Sequence, residues 1–483
     1  MVTPMTRLGL FVLACLAALG LLAACSSDPG STASQPSGDT TIATGPFLDT
    51  VQARTFDFFW ETTNAENGLA PDRWPDPPFS SVAAVGYALT AYPIGVERGY
   101  ISREQARERT LTTLEFFWEA PQGDAAEGMT GRWGFFYHFI DMETGERHQE
   151  TELSTIDTAL FLMGALTAQQ YFDGEGETEE RIRTLADSLY RRVEWDRMQL
   201  PDGTISMGWT PKEGRFDYGY EGYDEAMLLY VLGLGSPTHP VDEEVWPAFT
   251  STYDWASFYG YEHVNFAPLF GHQYSHIWID FREIQDAYMR EKGMDYFENS
   301  RRATLAQRAY AIDNPDGFAG YGENIWGLTA SDGPGNTTVT VNGKEREFRG
   351  YWARGAADGD IRDDGTIAPT AVGGSVPFAP DTTIAALKEM RSRYGDRLFG
   401  EYGFYDAFNP TYSLDETPPD GGQTTSQGWF ETEYLGIDQG PILTMIENHR
   451  TGLIWSLMRE NPHVVRGLCR AGFSGGWIEG ECE

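Results

Sequence analysis

Carboxylates at the mouths of apolar helices are the residues of this chain best suited to chemistry. In WTPKEGRFDYGYEGYDEAMLLYVLGL, residues 209–234, Glu221, Asp224 and Glu225 stand just ahead of the apolar run 227–232. That run has no polar face, so as a helix it must be covered on every side. Helix N-termini carry partial positive charge and favour first-turn acids, and Asp224 reads equally well in that ordinary way. Glu225 differs, because Tyr218, Tyr220 and Tyr223 precede it and the next residue is already apolar. Beside so much aromatic surface a carboxyl group has its pKa raised toward that of a useful general acid. The stretch 428–446, GWFETEYLGIDQGPILTMI, repeats the arrangement: Asp438 precedes an apolar helix, Pro441 suits its first turn, and Trp429, Phe430 and Tyr434 lead in. Asp438 also fits a plain N-cap. Two such acids are what glycosidic hydrolysis needs, about 6.5–9.5 Å apart for inversion and about 5–5.5 Å for retention.

Further candidates lie in the loops. In GFFYHFIDMETGERHQETELSTID, residues 134–157, Asp141 and Glu143 fall in a turn while Glu152 and Asp157 bracket a helix start. Asp157 also suits a cap with Ser154. His272, His276 and Asp280 are spaced by four, and on one helix they would share a face. No Glu follows His272 as in the metalloprotease motif, so a carboxylate–histidine pair at a sugar site is the preferred reading and no metal is assigned. The Gly-rich stretch 316–334 adds Glu323, Trp326 and Asp332. Trp209, Tyr220, Trp326, Trp352 and Trp429 are candidate surfaces for a sugar, with core packing as the alternative for the tryptophans. No P-loop, dinucleotide fingerprint or G-x-S-x-G elbow is present, and the chemistry calls for no cofactor.

To position these groups the sequence offers helices at about 47–63, 81–98, 103–119, 154–172, 177–194, 224–234, 241–257, 278–291, 295–313, 380–394, 438–448 and 450–460. Apolar members alternate with amphipathic ones, as when inner helices are ringed by outer ones. An all-α fold follows, with six hairpins closing into an (α/α)6 toroid; a helical solenoid is the rival, but no repeat is visible. Between 328 and 380 the helical pattern stops, and TTVTVNGKEREF reads as a small β-hairpin insertion turning at Asn342-Gly343, a wall or lid over one mouth.

A net charge of −37 argues against nucleic acid and anionic polysaccharides, and 14% aromatic residues without basic clusters suggest a neutral carbohydrate. Residues 1–25 read as a lipoprotein signal peptide whose Leu22-Ala23-Ala24-Cys25 resembles a lipobox, with Cys25 the lipidated residue. Residues 26–45 are then a polar linker and 46–483 the folded domain. The expected protein is exported, monomeric, and held to a bacterial membrane, facing periplasm or cell surface, only by that anchor. Cys469 and Cys482 flank a Gly-rich tail and are expected to form a disulfide.

At these same residues the chain resembles the glycoamylase-like family, which includes endo-β-1,2-glucanases of glycoside hydrolase family 144 and a domain of cyclic β-1,2-glucan synthases. The matching stretches are FIDMETGER, ELSTIDTALFLMGAL, GYDEAMLLYVLGLGSPTHP, LFGHQYSHIWIDFREIQD, YGENIWGLTASDGP and YLGIDQGPILTMIENHRTGLIW. The resemblance implies the (α/α)6 toroid and endo hydrolysis of a neutral β-glucan, β-1,2-linked, with inversion. It implies Glu225 as general acid and sets Asp141, Glu152, Asp157 and Asp438 around the cleft as candidates for the base. Asp224 departs from the family pattern, which often has Asn there. The alternatives are cleavage of another glucan linkage and a non-catalytic carbohydrate-binding lipoprotein of an uptake system. A uronate lyase on the same fold would need cationic groups that this charge balance speaks against.

Overall fold

Six helices with almost no exposed surface line the interior of the computed structural model, which describes residues 44–341, 343–412 and 418–482. They are α2 (Val82–Glu97), α4 (Thr155–Tyr171), α6 (Met227–Gly235), α8 (Tyr274–Trp278), α11 (Pro369–Gly373) and α13 (Gly436–Arg450). All nine residues of α6 are buried. A helix that short is marginal in water, so its stability comes from packing. Each fully buried leucine of α6 contributes about 1.5–3 kcal/mol relative to exposure.

The inner helices follow one another in a circuit. α2 packs on α4 and on α13, and α4 packs on α6. Ser275 Oγ of α8 accepts from Leu228 N of α6 at 3.0 Å. Gln273, just before α8, donates to Ala371 O of α11 at 2.8 Å, and α11 packs on α13. The α2–α4 crossing is backbone to backbone: a Cβ on Gly164 would lie 2.1 Å from Gly86 O. Outside stand α1 (Thr44–Thr62), α3 (Arg103–Glu119), α5 (Glu177–Arg191), α7 (Val245–Ser251), α9 (Ala287–Lys292), α10 (Tyr296–Asp313), α12 (Pro380–Tyr394), α14 (Leu453–Arg459) and α15 (Pro462–Arg470). Ser102 and Gln105 form a capping box at the start of α3, and Ser154 caps α4.

The structure corrects the sequence reading in several places. The fold is mainly helical but not all-α. Residues 131–132, 135–137, 153–154, 208–210 and 214–215 form a five-stranded sheet, and 408–409, 428–430 and 423–425 a three-stranded one. Strands of two or three residues are too short to show alternation. The expected helix 278–291 is broken, because α8 ends at Trp278 and α9 begins only at Ala287. The helix expected over 241–257 keeps only 245–251, followed by a hairpin pairing 255–258 with 261–264. α11 and α15 went unread. The expected insertion hairpin forms, 337–341 pairing with 344–348, while Asn342 lies outside the described residues. So do the signal segment, Cys25 and the linker through residue 43; its last two residues, Thr44 and Gly45, instead open α1. Cys469 and Cys482 are joined by a disulfide.

Candidate active site

The loops that lead into the inner helices are tied together by short pairings at one end of the molecule. Arg73–Trp74 pairs with Tyr434–Leu435 just before α13, and Ser80–Ser81 before α2 pairs with Phe139–Ile140. Leu153–Ser154 before α4 pairs with Gly208 and Trp209. These pairings bring carboxylates far apart in sequence to a common mouth.

Asp224 and Glu225 precede α6. The Asp224 carboxylate accepts from Ala226 N at 2.8 Å, and Glu225 O accepts from Ser275 Oγ at 2.9 Å, which fixes the backbone at the acid. Burial pushes the Glu225 carboxyl up to about 7, with the charge of Asp157 adding to it. Asp224 is pushed well above its ordinary range by burial and by Glu225. Across the mouth, His138 lies between Glu152 and Asp157, its Nδ1 2.9 Å from Glu152 Oε1 and its Nε2 3.5 Å from Asp157 Oδ1. Burial opposes the imidazolium, but Asp157, Glu152 and Asp72 outweigh it and raise His138 to about 9. Burial also works against the Glu152 carboxylate, yet the His138 hydrogen bond and charge hold its pKa below the usual value.

Beside α13 the carboxylates outnumber the cations. Arg73 Nη1 donates to Glu433 at 2.8 Å and to Asp332 at 3.2 Å, and its Nε lies 3.6 Å from Asp72. Asp406 accepts from Asp332 N at 2.7 Å. Asp438, in the first turn of α13, is raised to about 7, chiefly by burial and then by the charges of Asp332 and Asp72. Burial and the charge of Asp438 push Asp406 well above the carboxylate range. Asp438 Oδ2 and Asp406 Oδ1 are buried without a hydrogen bond of ordinary geometry, and the Tyr87 hydroxyl is likewise buried and unpartnered among the described residues. Tyr87 unites the site. Its phenol is pushed well above its ordinary value by burial and by Asp438, Asp157 and Glu225, carboxylates belonging to α13, α4 and the entry to α6. Tyr274 stands against it, ring centroids 6.1 Å apart, and also feels Asp438 and Glu225. Two raised carboxyls reach one aromatic floor, an arrangement for acid and base work on a neutral substrate.

Residues 217–462, just over half of the chain, match the model of the family described as "Glycoamylase: Putative glucoamylase". The chain belongs to the glycoamylase family. A putative glucoamylase from Bacteroides uniformis is 33% identical, with a TM-score of 0.76 over 91% of this chain and 100% of that one. An endo-β-1,2-glucanase from Chitinophaga pinensis, solved with sophorotriose and glucose, is 28% identical, with a TM-score of 0.75 over 90% of this chain and 100% of that one. An exo β-1,2-glucooligosaccharide sophorohydrolase from Parabacteroides distasonis is 30% identical over 456 residues, 87% of this chain but 57% of its own length. The chain thus spans little more than half of that relative.

Within this glycoamylase-family fold, Glu225, Asp438, Glu152 and Asp157 stand at the same mouth, and Tyr220 is buried near Glu225, whose charge helps raise its phenol. Several candidates do not converge. Asp141 is committed to its own turn, accepting from Thr144 N at 2.8 Å and Glu143 N at 3.0 Å, and these bonds hold its carboxyl below the usual pKa. Trp326 and Trp429 are 0% exposed and belong to the core. Trp209 is buried edge-on to Trp133 at 5.7 Å and beneath Arg132. Only Trp352 of the four tryptophans is half-buried, opposite Ser331. His272 and His276 lie on separate short helices rather than one face. His276 shares a hydrogen bond with Ser300 Oγ, and burial lowers it to about 3. Asp280 is clamped by Arg282 and Arg459, and the exposed Glu323 pairs with Arg308. Asp72, Arg73, Tyr87, Tyr274, Asp406 and Glu431 escaped sequence reasoning. PDRW ahead of α2 and ETEY ahead of α13 carry the signal that exposed Glu225, an acid beside an aromatic before an apolar helix, whereas YDAF runs into a strand.

Proposed function

We propose that the protein is a glycoside hydrolase of neutral β-1,2-linked glucan, endo-acting and inverting, built as an (α/α)6 toroid. The circuit of six inner helices supports the architecture. The observation that carries the function is the convergence of Glu225 and Asp438, both raised toward neutrality, on the single floor of Tyr87. The relatives that act on β-1,2-glucans support the linkage, and the match over the whole Chitinophaga chain supports endo action.

In this reading Glu225 gives its proton to the leaving glycosidic oxygen as the bond to the anomeric carbon breaks. Asp438 takes a proton from the water whose oxygen bonds to that carbon on the opposite face. The protonated Asp406 stays neutral beside Asp438, and the His138 imidazolium keeps Glu152 ionised near the developing oxocarbenium charge. A protein that only bound sugar would need the aromatic surface but not two carboxyls held near neutral pKa. We propose further that the chain is exported and anchored through Cys25.

The test is product analysis after incubating the protein with linear β-1,2-glucan, β-1,3-glucan and starch, with Glu225→Gln as control. Short β-1,2-oligosaccharides absent from the Glu225→Gln digest are expected. Release of disaccharide alone from the first moments would replace endo by exo action. Binding without cleavage of any polymer would overturn the hydrolase reading.

A further inference from the structure

One large aromatic side chain at the mouth is held out in solvent by a buried device. Tyr351 is 58% exposed, whereas Trp326, Trp429 and Tyr87 are at most 1% exposed. The turn that carries it is pinned from beneath by Arg354, which is fully buried. Arg354 Nη2 donates to the carbonyls of Arg349 at 3.0 Å and Gly350 at 3.1 Å, on one side of Tyr351. Nη1 donates to Trp352 O at 3.4 Å on the other side, and to Ser331 O at 2.8 Å and Asp332 O at 3.3 Å on the neighbouring strand. The charge is met by Asp364, with Nε to Oδ1 at 2.7 Å and Nη2 to Oδ2 at 2.8 Å; Asp364 Oδ2 also accepts from Arg349 N at 3.0 Å. There is no slack in this cradle. A Cβ on Gly333 would lie 2.2 Å from Arg354 Nη2, and one on Gly350 would lie 2.1 Å from Asp420 Oδ2.

A buried ion pair is costly to assemble and is weak evidence for stability by itself. Here five backbone carbonyls converge on it, and the most exposed side chain of the turn is that of Tyr351. The ring is open to solvent yet surrounded by protein, as on a cleft wall. That surrounding, with the charges of Asp438, Asp406, Asp332 and Asp72, pushes its phenol well above 10, so the hydroxyl stays neutral. An exposed ring on a fixed backbone loses little conformational freedom on binding. Its face matches the apolar C–H face of a pyranose, and the surrounding carboxylates select against an anionic ligand.

We propose that Tyr351 is a stacking platform for a neutral glucosyl unit bound beside Asp438, and that the Arg354–Asp364 pair is the positioning device that presents it. This rests on the hydrolase reading for the identity of the sugar. The test compares wild type, Tyr351→Ala, Tyr351→Phe and Gly333→Ala, by calorimetric binding of linear β-1,2-gluco-oligosaccharides and by kcat and KM on the same sugars. Tyr351→Ala is expected to weaken binding and raise KM about tenfold with kcat changed about threefold or less, at unchanged Tm. Tyr351→Phe keeps the ring and should stay within about twofold of wild type. Gly333→Ala, which displaces Arg354 while leaving Tyr351 in the sequence, should reproduce the KM of Tyr351→Ala. Equal binding by wild type and Tyr351→Ala overturns the proposal, as does a Tyr351→Phe protein as weak as Tyr351→Ala. The readings fail separately: wild type that binds these sugars through Tyr351 without cleaving them loses the hydrolase reading alone, and wild type that binds none loses both.

Discussion

Asp280 and Asp364 are buried as deeply as Asp406 and Asp438, at 1%, 3%, 2% and 3% exposure, yet the two pairs live in opposite surroundings. Asp364 is gripped by both arms of Arg354, which hold its carboxyl below the ordinary range against burial. Asp280 is clamped between Arg282 and Arg459. Asp406 and Asp438 face more carboxylates, while the cations close by are engaged elsewhere, Arg73 by Asp332 and Glu433 and His138 by Glu152. Burial alone therefore does not decide what a carboxyl does. Burial with a counter-charge gives structure, and burial without one gives a group whose proton is available near neutral pH.

The largest effect that tests this contrast is on turnover. Glu225→Gln and Asp438→Asn are each expected to lower kcat on linear β-1,2-glucan by about 10²–10⁴-fold, the usual contribution of a general acid or base. KM should change little, and Tm should hold or rise because a poorly compensated charge is removed. With both groups intact, activity needs Asp438 ionised and Glu225 protonated. Each is raised to about 7 in the ligand-free protein, so kcat/KM should follow a narrow bell centred near neutrality. A broad plateau from pH 5 to 9 would contradict this.

On the structural side the expected loss is of stability. Arg354→Met strands Asp364 and should cost about 3–5 kcal/mol, read as a lower midpoint in urea. Arg354→Met combined with Asp364→Leu should recover part of that loss. No recovery would mean that the carbonyl contacts, rather than the charge pair, hold the segment.

This contrast marks how far the sequence could be read. Glu225 and Asp438 were legible because each precedes an apolar helix and follows aromatics, a pattern that local physics produces. Whether a given carboxylate finds an arginine is a tertiary fact. Arg459 reaches Asp280 from α14, 179 residues away, and Arg73 meets Glu433 across 360. Asp280 was therefore misread as a sugar ligand and Asp72 was passed over. The stacking candidates failed for a related reason. Trp326 sits in an aromatic, Gly-rich loop just as Tyr351 does, Trp429 lies in a three-residue strand flanked by such loops, and only packing decides which ring is turned outward. The helices were more legible, since α3, α10 and α12 carry their own start signals, whereas α11 has five residues and almost no period to detect.

A smaller, global effect follows from the sign of the site's titrations. In the folded chain Asp72, Glu225, Asp438 and Glu431 have pKa values of about 6, 7, 7 and 8, all raised first by burial. In the unfolded chain such groups titrate near 4. Between about pH 4.5 and 7 the folded state therefore binds more protons, and stability must fall as pH rises, by up to about 1.4 kcal/mol per pH unit for each extra proton bound. His138, raised to about 9, adds stability that is complete below about 6.5 and is lost as pH rises through 9. Denaturant melts from pH 5.5 to 8 should show this decline. A flat profile would mean that the cluster is better compensated than its geometry shows.

The smallest effect separates Asp406 from Asp438. Asp406 is argued to act through its neighbour, its proton easing the ionisation of Asp438. Asp406→Asn keeps a donor at that place and should leave the acidic limb of the kcat/KM profile within about 0.3 pH units of wild type. Asp406→Ala removes the donor, so Asp438 should ionise later and the acidic limb should move up by about 0.5–1 unit, while kcat at its optimum falls about tenfold or less. If Asp406→Asn instead abolishes turnover as Asp438→Asn does, Asp406 is itself the group that takes the proton from water, and the two acids exchange roles.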